Sequence, residues 1–454
     1  MLKKPLRLSF LGLLCYSSAT IMAGEVQEFT LENGLQLIVK EDHRAPVVVS
    51  QVWYKIGGSY EQEGKTGLSH MLEHMMFKGT EKYPAGEFSR IMDLNGASQN
   101  AFTGVDYTTY FQTIEKSRLP ISFELEADRM RSLVFSEEEF RKEQKVVTEE
   151  RRMRVEDRPI SFLFEQFNAT AYQTGPYQNP IIGWMSDIKH YTLADLHNWY
   201  QKWYAPNNAV IVVVGDVQPL EVLALAKKHF GSFEPSEITP PLVRPEVEQF
   251  GPKRITVKRP AKLPYLVMGY KVPVLRTLAK EEQWKIYALT VLAHLLDSGE
   301  SARLSKNLVR GQEIAASAYV DYDLFSRLTE TFSFGGIPTE KHTVSELETA
   351  FREQIKQLQT TPVDNAELER VKVQLRASQV YELDSIFYQG MKIGMLEAVG
   401  LDWQVFEHYL ENIKAVTVEQ VQAVATEYLV DNHLTVAILE PLPLDIKGKM
   451  KPAS

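Results

Sequence analysis

The chain carries one plan twice. "APVVVSQVWYKIGG" is a β-branched stretch ending in Tyr54-Lys55-Ile56, and "RITVKRPAKLPYLVMGYKVP" repeats strand, loop and strand, with Tyr270-Lys271-Val272 216 positions later. The ends of the halves match as well. "YAPNNAVIVVVGDV" from Tyr204 and "YLVDNHLTVAIL" from Tyr428 both read as helix end, Asn turn and buried strand, and Asn208 meets Asn432 at an offset of 224. Two similar offsets at opposite ends of a half indicate an internal duplication. The stretch between them, "SFEPSEITPPLVRPEVEQFGPK", is rich in Pro and Glu and reads as a linker. The expected fold class is therefore α+β: two tandem homologous domains, each a mostly antiparallel sheet packed by long helices. Their expected bounds are 24–232 and 253–445, with the linker at 233–252 and a tail at 446–454.

The N-terminus stands apart from this plan. "MLKKPLR" is basic, and "LSFLGLLCYSSATIMA" is apolar, then small and polar, up to Ala23. That pattern is expected of a secretory signal peptide, residues 1–23, with an uncleaved membrane anchor as the alternative; the run is short and quickly diluted by serines for a membrane span. Lys3, Lys4 and Arg7 would leave with it, taking the formal net charge from −9 to −12. An acidic chain without a Lys/Arg block is not built to coat nucleic acid. Cys15, the only cysteine, lies in the same segment, so a metal site in the mature chain must use His, Asp and Glu. Export with an acidic surface fits a periplasmic protein with no stable membrane insertion.

"GLSHMLEHMMFKGT", residues 67–80, sets His70, Glu73 and His74 in an apolar run. On a helix, His70 and His74 lie on one face and aim at one point, with Glu73 beside it. Two nitrogen ligands for zinc and a carboxylate for its water have this spacing. Taken alone, the stretch equally fits two satisfied histidines in a core helix. The sister helix "EEQWKIYALTVLAHLLDSG" carries only His294, so the pair is a specialisation of the first half.

A catalytic zinc needs a third protein ligand. "SEEEFRKEQKVVTEERRMRVED" starts a helix at Ser136 with acids in its first turn. Lys142, Lys145, Glu149, Arg152 and Glu156 form its charged, solvent stripe. Phe140, Glu143, Val147 and Glu150 form another, with Val146 and Met153 flanking Glu150. Carboxylates on such a face need partners. A zinc ion for Glu150 and a zinc-bound histidine for Glu143 would supply them.

H-x-x-E-H followed by a glutamate 76 residues after the second His, with another acid seven before it, resembles the pitrilysin/insulinase-like family of inverzincin zinc metallopeptidases, in its bacterial two-domain, processing-peptidase-like branch. "GASQNAFTGVDYTTY" and "WYAPNNAVIVVVGDV" add to the resemblance, which spans essentially the whole chain after residue 23. It implies one Zn2+ per chain held by His70, His74 and Glu150, with Glu73 as the catalytic base and Glu143 as the supporting acid. It further implies that Asn100 and Ala101 belong to an edge strand that pairs with substrate, and that Arg303 and Arg310 contact it from the second half. The arginine of relatives is followed seven positions later by a tyrosine; after Arg310 that position is Ser317, and the nearest tyrosine is Tyr319. "GPYQNP" likewise lacks the histidine that many relatives carry before the tyrosine.

The function so implied is an exported zinc endopeptidase acting on peptides or unfolded polypeptides, paired as a homodimer or as a heterodimer with a non-catalytic paralogue. The alternative is a non-catalytic structural or chaperone-like subunit, whose usual mark is a broken H-x-x-E-H or a missing distal glutamate. A metal store or sensor would leave Glu73 without a role.

Overall fold

The structure is a computed structural model that describes residues 24–240, 242 and 245–444. The expected signal peptide at 1–23 and the tail at 446–454 lie outside the described residues. The first sheet contains β1 (Val26–Thr30), β2 (Gln36–Glu41), β3 (Val47–Tyr54), β4 (Ser98–Thr103), β5 (Thr108–Glu115) and β6 (Ala209–Gly215), in the order β1-β2-β6-β3-β5-β4. The second contains β7 (Lys253–Pro260), β8 (Tyr265–Val272), β9 (Ala315–Asp321), β10 (Glu330–Pro338) and β11 (Leu434–Leu442), in the order β7-β11-β8-β10-β9. Apart from β1, the two are one topology. A parallel pair (β2 with β6, β7 with β11) is followed by three antiparallel pairs. The expected Asn33-Gly34 hairpin joins β1 to β2, with Gly34 at φ 85°.

Strand register corrects the sequence match by one residue. Tyr54 sits opposite Ala209 and Tyr270 opposite Leu434, so Ala209 corresponds to Leu434 and the counterpart of Asn432 is Asn207, not Asn208. Period-two alternation is a finer ruler than a shared Asn, because a one-residue slip would turn every side chain to the opposite face.

The helices of the first half include α1 (Leu68–Met75), α2 (Glu87–Leu94), α3 (Leu119–Arg131), α4 (Glu137–Arg151) and α5 (Pro159–Ala171). Ile211, Val213, Val52 and Tyr54 face a core shared with α1, α3 and α4. The alternate residues Val210, Val212, Val214 and Trp53 face the helix Ile386–Val399, which belongs to the second half. The exchange is mutual: Leu163, Phe167 and Ala171 of α5 pack on Tyr265, Val267, Ala437 and Leu439 of the second sheet. Close approach explains two glycines here. A Cβ on Gly394 would overlap the Trp53 indole, and one on Gly269 would overlap the Phe167 ring. Each fully buried Leu, Ile, Val or Phe contributes roughly 1.5–3 kcal/mol. The exposed pair Arg44–Asp384, which also crosses between halves, contributes at most about 1 kcal/mol. Apolar helix exchange therefore dominates the union of the halves.

One polar node is sealed between them. Arg327 donates from Nε to Asp106 Oδ1 at 3.0 Å and from a terminal nitrogen to Ser59 Oγ at 2.7 Å. Ser59 Oγ donates to Asp106 Oδ1, and the Tyr177 hydroxyl donates to Asp106 Oδ2. Nearby, Glu330 accepts from Thr331 N–H, Ser326 Oγ and the Tyr172 hydroxyl, and burial pushes its carboxyl up to about 7.

Arg327→Ala leaves Asp106 charged and sealed, and is expected to cost about 3–5 kcal/mol by urea unfolding, part of which the double variant with Asp106→Ala recovers. For Glu330, the folded protein binds the proton more tightly than the unfolded chain between about pH 4.5 and 7, so its contribution to stability falls as pH rises through that window. Glu330→Gln is expected to remove this component, which urea midpoints at pH 5 and pH 8 would register.

Candidate metal centre

Helix α1 begins without a side-chain cap of its own. Gly67, at φ 88°, precedes it, and a Cβ there would overlap the Ile182 carbonyl, so both conformation and packing require glycine. Glu61 supplies the missing acceptors from outside the helix: its oxygens take Gly67 N–H at 2.6 Å and Ser69 N–H at 2.7 Å. Asp187 takes the N–H and hydroxyl of Thr66 at 3.1 and 2.7 Å. These two acids fix where α1 starts. Leu68, Met71, Leu72 and Met75 then bury its apolar side, leaving His70, Glu73 and His74 turned toward α4 and β4.

Helix α4 is capped by Ser136 and has Glu137, Glu138 and Glu139 in its first turn. Phe140, Glu143 and Val147 are buried, as the stripe requires, and Glu150 is partly buried. Val146 and Met153 depart from expectation: they are 47% and 66% exposed and do not pack around Glu150. Each lies three or four residues from Glu150 but on the solvent side of the segment.

The two helices bring the five predicted residues together. Glu150 Oε2 lies 3.2 Å from His74 Nε2 and 3.7 Å from His70 Nε2, and one ligand atom from each of the three residues falls within 4.8 Å of the others. Tetrahedral ligands about 2.0–2.2 Å from zinc would be roughly 3.3–3.6 Å apart, and the two Glu150–histidine separations lie close to that range. Glu150 Oε2 is also buried without a hydrogen-bond donor, which a cation would satisfy. On its far side, His74 Nδ1 meets Glu143 Oε2 at 3.1 Å, and Lys78 Nζ meets Glu143 Oε1 at 2.6 Å. Burial, with His74 adding to it, lowers His70 to about 4, so His70 is a neutral ligand at pH 7. For His74 burial acts the other way from its partners, but the facing carboxylates of Glu150 and Glu143 win and raise it. Glu150 is lowered, chiefly by His74.

Glu73 stands beside the trio. Its Oε2 accepts from Thr103 Oγ1 at 2.6 Å, and burial raises its carboxyl. Thr103 ends β4, the outer strand of its sheet, which also carries Asn100 and Ala101; the Asn100 side chain accepts the N–H of Ala101 at 2.9 Å. Arg303 and Arg310 are engaged inside the second half. Arg303 is paired through two nitrogens with Glu367 at 3.0 and 2.8 Å, and Arg310 with Glu300 at 3.4 Å. Tyr319 lies over Gly335, against the second sheet.

Three polar neighbours went unread in the sequence. Lys78 and Arg154 each follow a site residue by four positions, a helical spacing that could have pointed to them. Arg154 Nε lies 2.9 Å from Glu150 Oε1. Thr103 had no such signal, since its contact depends on how β4 meets α1. The second half lacks the trio. Helix Trp284–Leu296 starts 216 residues after α1, so Ile286, Leu289 and Thr290 stand where His70, Glu73 and His74 do, and all three are buried.

Family models match two successive stretches of the chain. A family model described as insulinase (peptidase family M16) matches residues 36–184, and one described as the peptidase M16 inactive domain matches residues 190–375. The chain is similar to the zinc protease PqqE of Helicobacter pylori, at 35% identity over 423 residues, 91% of this chain and 93% of that protein. It is 25% identical to an uncharacterized zinc protease, YmxG, of Bacillus subtilis, over 92% of this chain and 98% of the other. A solved protease from Helicobacter pylori superposes with a TM-score of 0.86 at 32% identity, covering 92% of this chain and all of that one. The periplasmic protease PqqL of Escherichia coli shares the fold, with a TM-score of 0.79 at 17% identity, and this chain covers 49% of its length.

Glu143→Gln keeps the shape of the second carboxyl but not its charge. It is expected to lower zinc affinity by about 10–100-fold, measured by competition with a chromophoric chelator.

Proposed function

The chain belongs to the insulinase family, peptidase family M16, and from that premise we propose that it is an exported, zinc-dependent endopeptidase that hydrolyses peptides or unfolded polypeptides. The observation that carries the reading is the convergence of His70, His74 and Glu150 on one point, with Glu73 beside it. Zinc held there would supply Lewis acidity, polarising a peptide carbonyl and acidifying water at the site.

The chain's own residues do the rest. Glu73 takes a proton from the attacking water and returns it to the leaving amine. Thr103 occupies Oε2 of Glu73, so Oε1 is the oxygen available for that proton. The burial that raises Glu73 makes its carboxylate a stronger base than a solvated one. Lys78 secures Glu143, and Glu143 in turn fixes the tautomer and orientation of His74. The outer edge of β4, at Asn100 and Ala101, receives the substrate as an added strand, a mode that tolerates many sequences because main-chain bonds supply much of the affinity. For that edge to open, the Asn100 side chain releases the Ala101 N–H. Arg303 and Arg310 meet substrate only by leaving Glu367 and Glu300.

The second half contributes enclosure rather than metal chemistry, in keeping with Ile286, Leu289 and Thr290 at the equivalent positions. The working unit is a pair of such chains, either a homodimer or a heterodimer with a non-catalytic paralogue. In support, the chain spans about half of PqqL, a protein roughly twice its length. The periplasm is the proposed compartment, resting on residues 1–23; among the described residues no helix is long and apolar enough to cross a membrane.

Wild type and Glu73→Gln should both bind one zinc per chain, and only wild type should cleave a mixed peptide library. The loss is expected to be at least about 100-fold, since positioned acid–base groups contribute about 10²–10⁴. Equal cleavage by the two proteins overturns the mechanism, and no cleavage by either favours the non-catalytic subunit.

A further inference from the structure

Glu150 is held from both sides. One oxygen, Oε2, faces the two histidine nitrogens and has no hydrogen-bond donor. The other, Oε1, faces Arg154 Nε at 2.9 Å. Arg154 sits one turn beyond Glu150, where α4 ends and the backbone widens into a π-helical segment, Arg152–Glu156, closed by Asp157 N–H on the Arg152 carbonyl at 2.7 Å. Such widened turns occur preferentially at functional sites, because they displace one side chain from the regular helical stripe. At the i,i+4 spacing from Glu150, Arg154 reaches back over the carboxylate.

From this we infer that Arg154 is a positioning residue that reserves Oε1 of Glu150 and so confines the ligand to a single oxygen. The inference rests on the zinc-peptidase reading above. A carboxylate can offer a metal one oxygen or two. With both free, Glu150 and the two histidines would fill four positions between them. With Oε1 engaged, they fill three and leave the fourth for water or substrate, as a catalytic zinc site requires. Arg154 also places a positive charge close to a cation site. It therefore opposes metal binding while favouring an open coordination shell.

That opposition separates the inference from the ordinary alternative. The Arg154 side chain is 68% exposed and four residues from Glu150, the setting of a surface ion pair that adds little to stability. An ordinary pair predicts no change at the metal when it is removed. A merely structural support predicts looser metal. Reservation of Oε1 predicts that its release gives tighter metal with one ligand atom more, the second oxygen of Glu150.

The test compares the full-length protein with Arg154→Met and Arg154→Lys, each loaded separately with zinc and with cobalt. In Arg154→Met, zinc affinity measured by chelator competition is expected to rise about tenfold, through loss of the nearby charge and gain of a second oxygen. Cobalt absorption should weaken from the intense bands of a four-coordinate site to those of a five-coordinate one. Turnover should drop in kcat with KM held, while the metal-free urea midpoint stays at the wild-type value. Arg154→Lys, which keeps the cation, should return the cobalt spectrum toward wild type. Unchanged zinc affinity and cobalt spectrum in Arg154→Met, or looser zinc, overturn the inference and leave the proposed function standing. A wild-type protein that takes up neither metal overturns both.

Discussion

Every strand near the centre of this molecule has two faces to keep dry, and neither half has enough helix of its own to do it. All seven residues of β6 are buried. Ala209, Ile211 and Val213 are covered by the helices of their own half, and Val210, Val212 and Val214 by a helix contributed from 386–399. The second sheet makes the same demand and receives α5 in return. A sheet buried on both faces reads as a continuous β-branched run, as "AVIVVVG" does. The exchange is why the halves stand in one relation to each other, with the Asp106–Arg327 node closed between them.

The metal centre inherits its accuracy from this frame. The short helix α1 is positioned by Glu61 and Asp187 at its start and by α4 along its length, and of these supports only Glu61 is near it in sequence. Two carboxylates enter the α1–α4 contact because each has a partner there: Glu143 has His74 and Lys78, and Glu150 has the histidines and Arg154. An unpaired acid in that contact would either protonate or force the helices apart. The second half, freed from this demand, fills the equivalent space with Ile286, Leu289 and Thr290.

The site was largely legible because helical periodicity is a strong signal and metal chemistry admits few residue types. His70, Glu73 and His74 declared themselves by spacing, and Glu143 and Glu150 by lying off the charged stripe. The same reasoning failed on the flanks of the buried stripe. Val146 and Met153 share the stripe of Glu150 but lie exposed, since burial depends on what stands opposite and not on spacing alone. Arg303 and Arg310 illustrate a different limit: a sequence can show that arginines are present, but not that Glu367 and Glu300 already hold them.

By itself the sequence determined the duplicated α+β plan, the histidine pair with its glutamate, and the distant acid able to complete it. These are properties of local pattern and residue chemistry, which survive without knowledge of distant neighbours. Tertiary structure decided what pattern cannot encode: which helix covers which sheet, the one-residue register that pairs Asn207 with Asn432, and the contacts of Thr103, Lys78 and Arg154 with the site. Each of those depends on packing between segments far apart in the chain, where only the folded geometry brings the partners within reach.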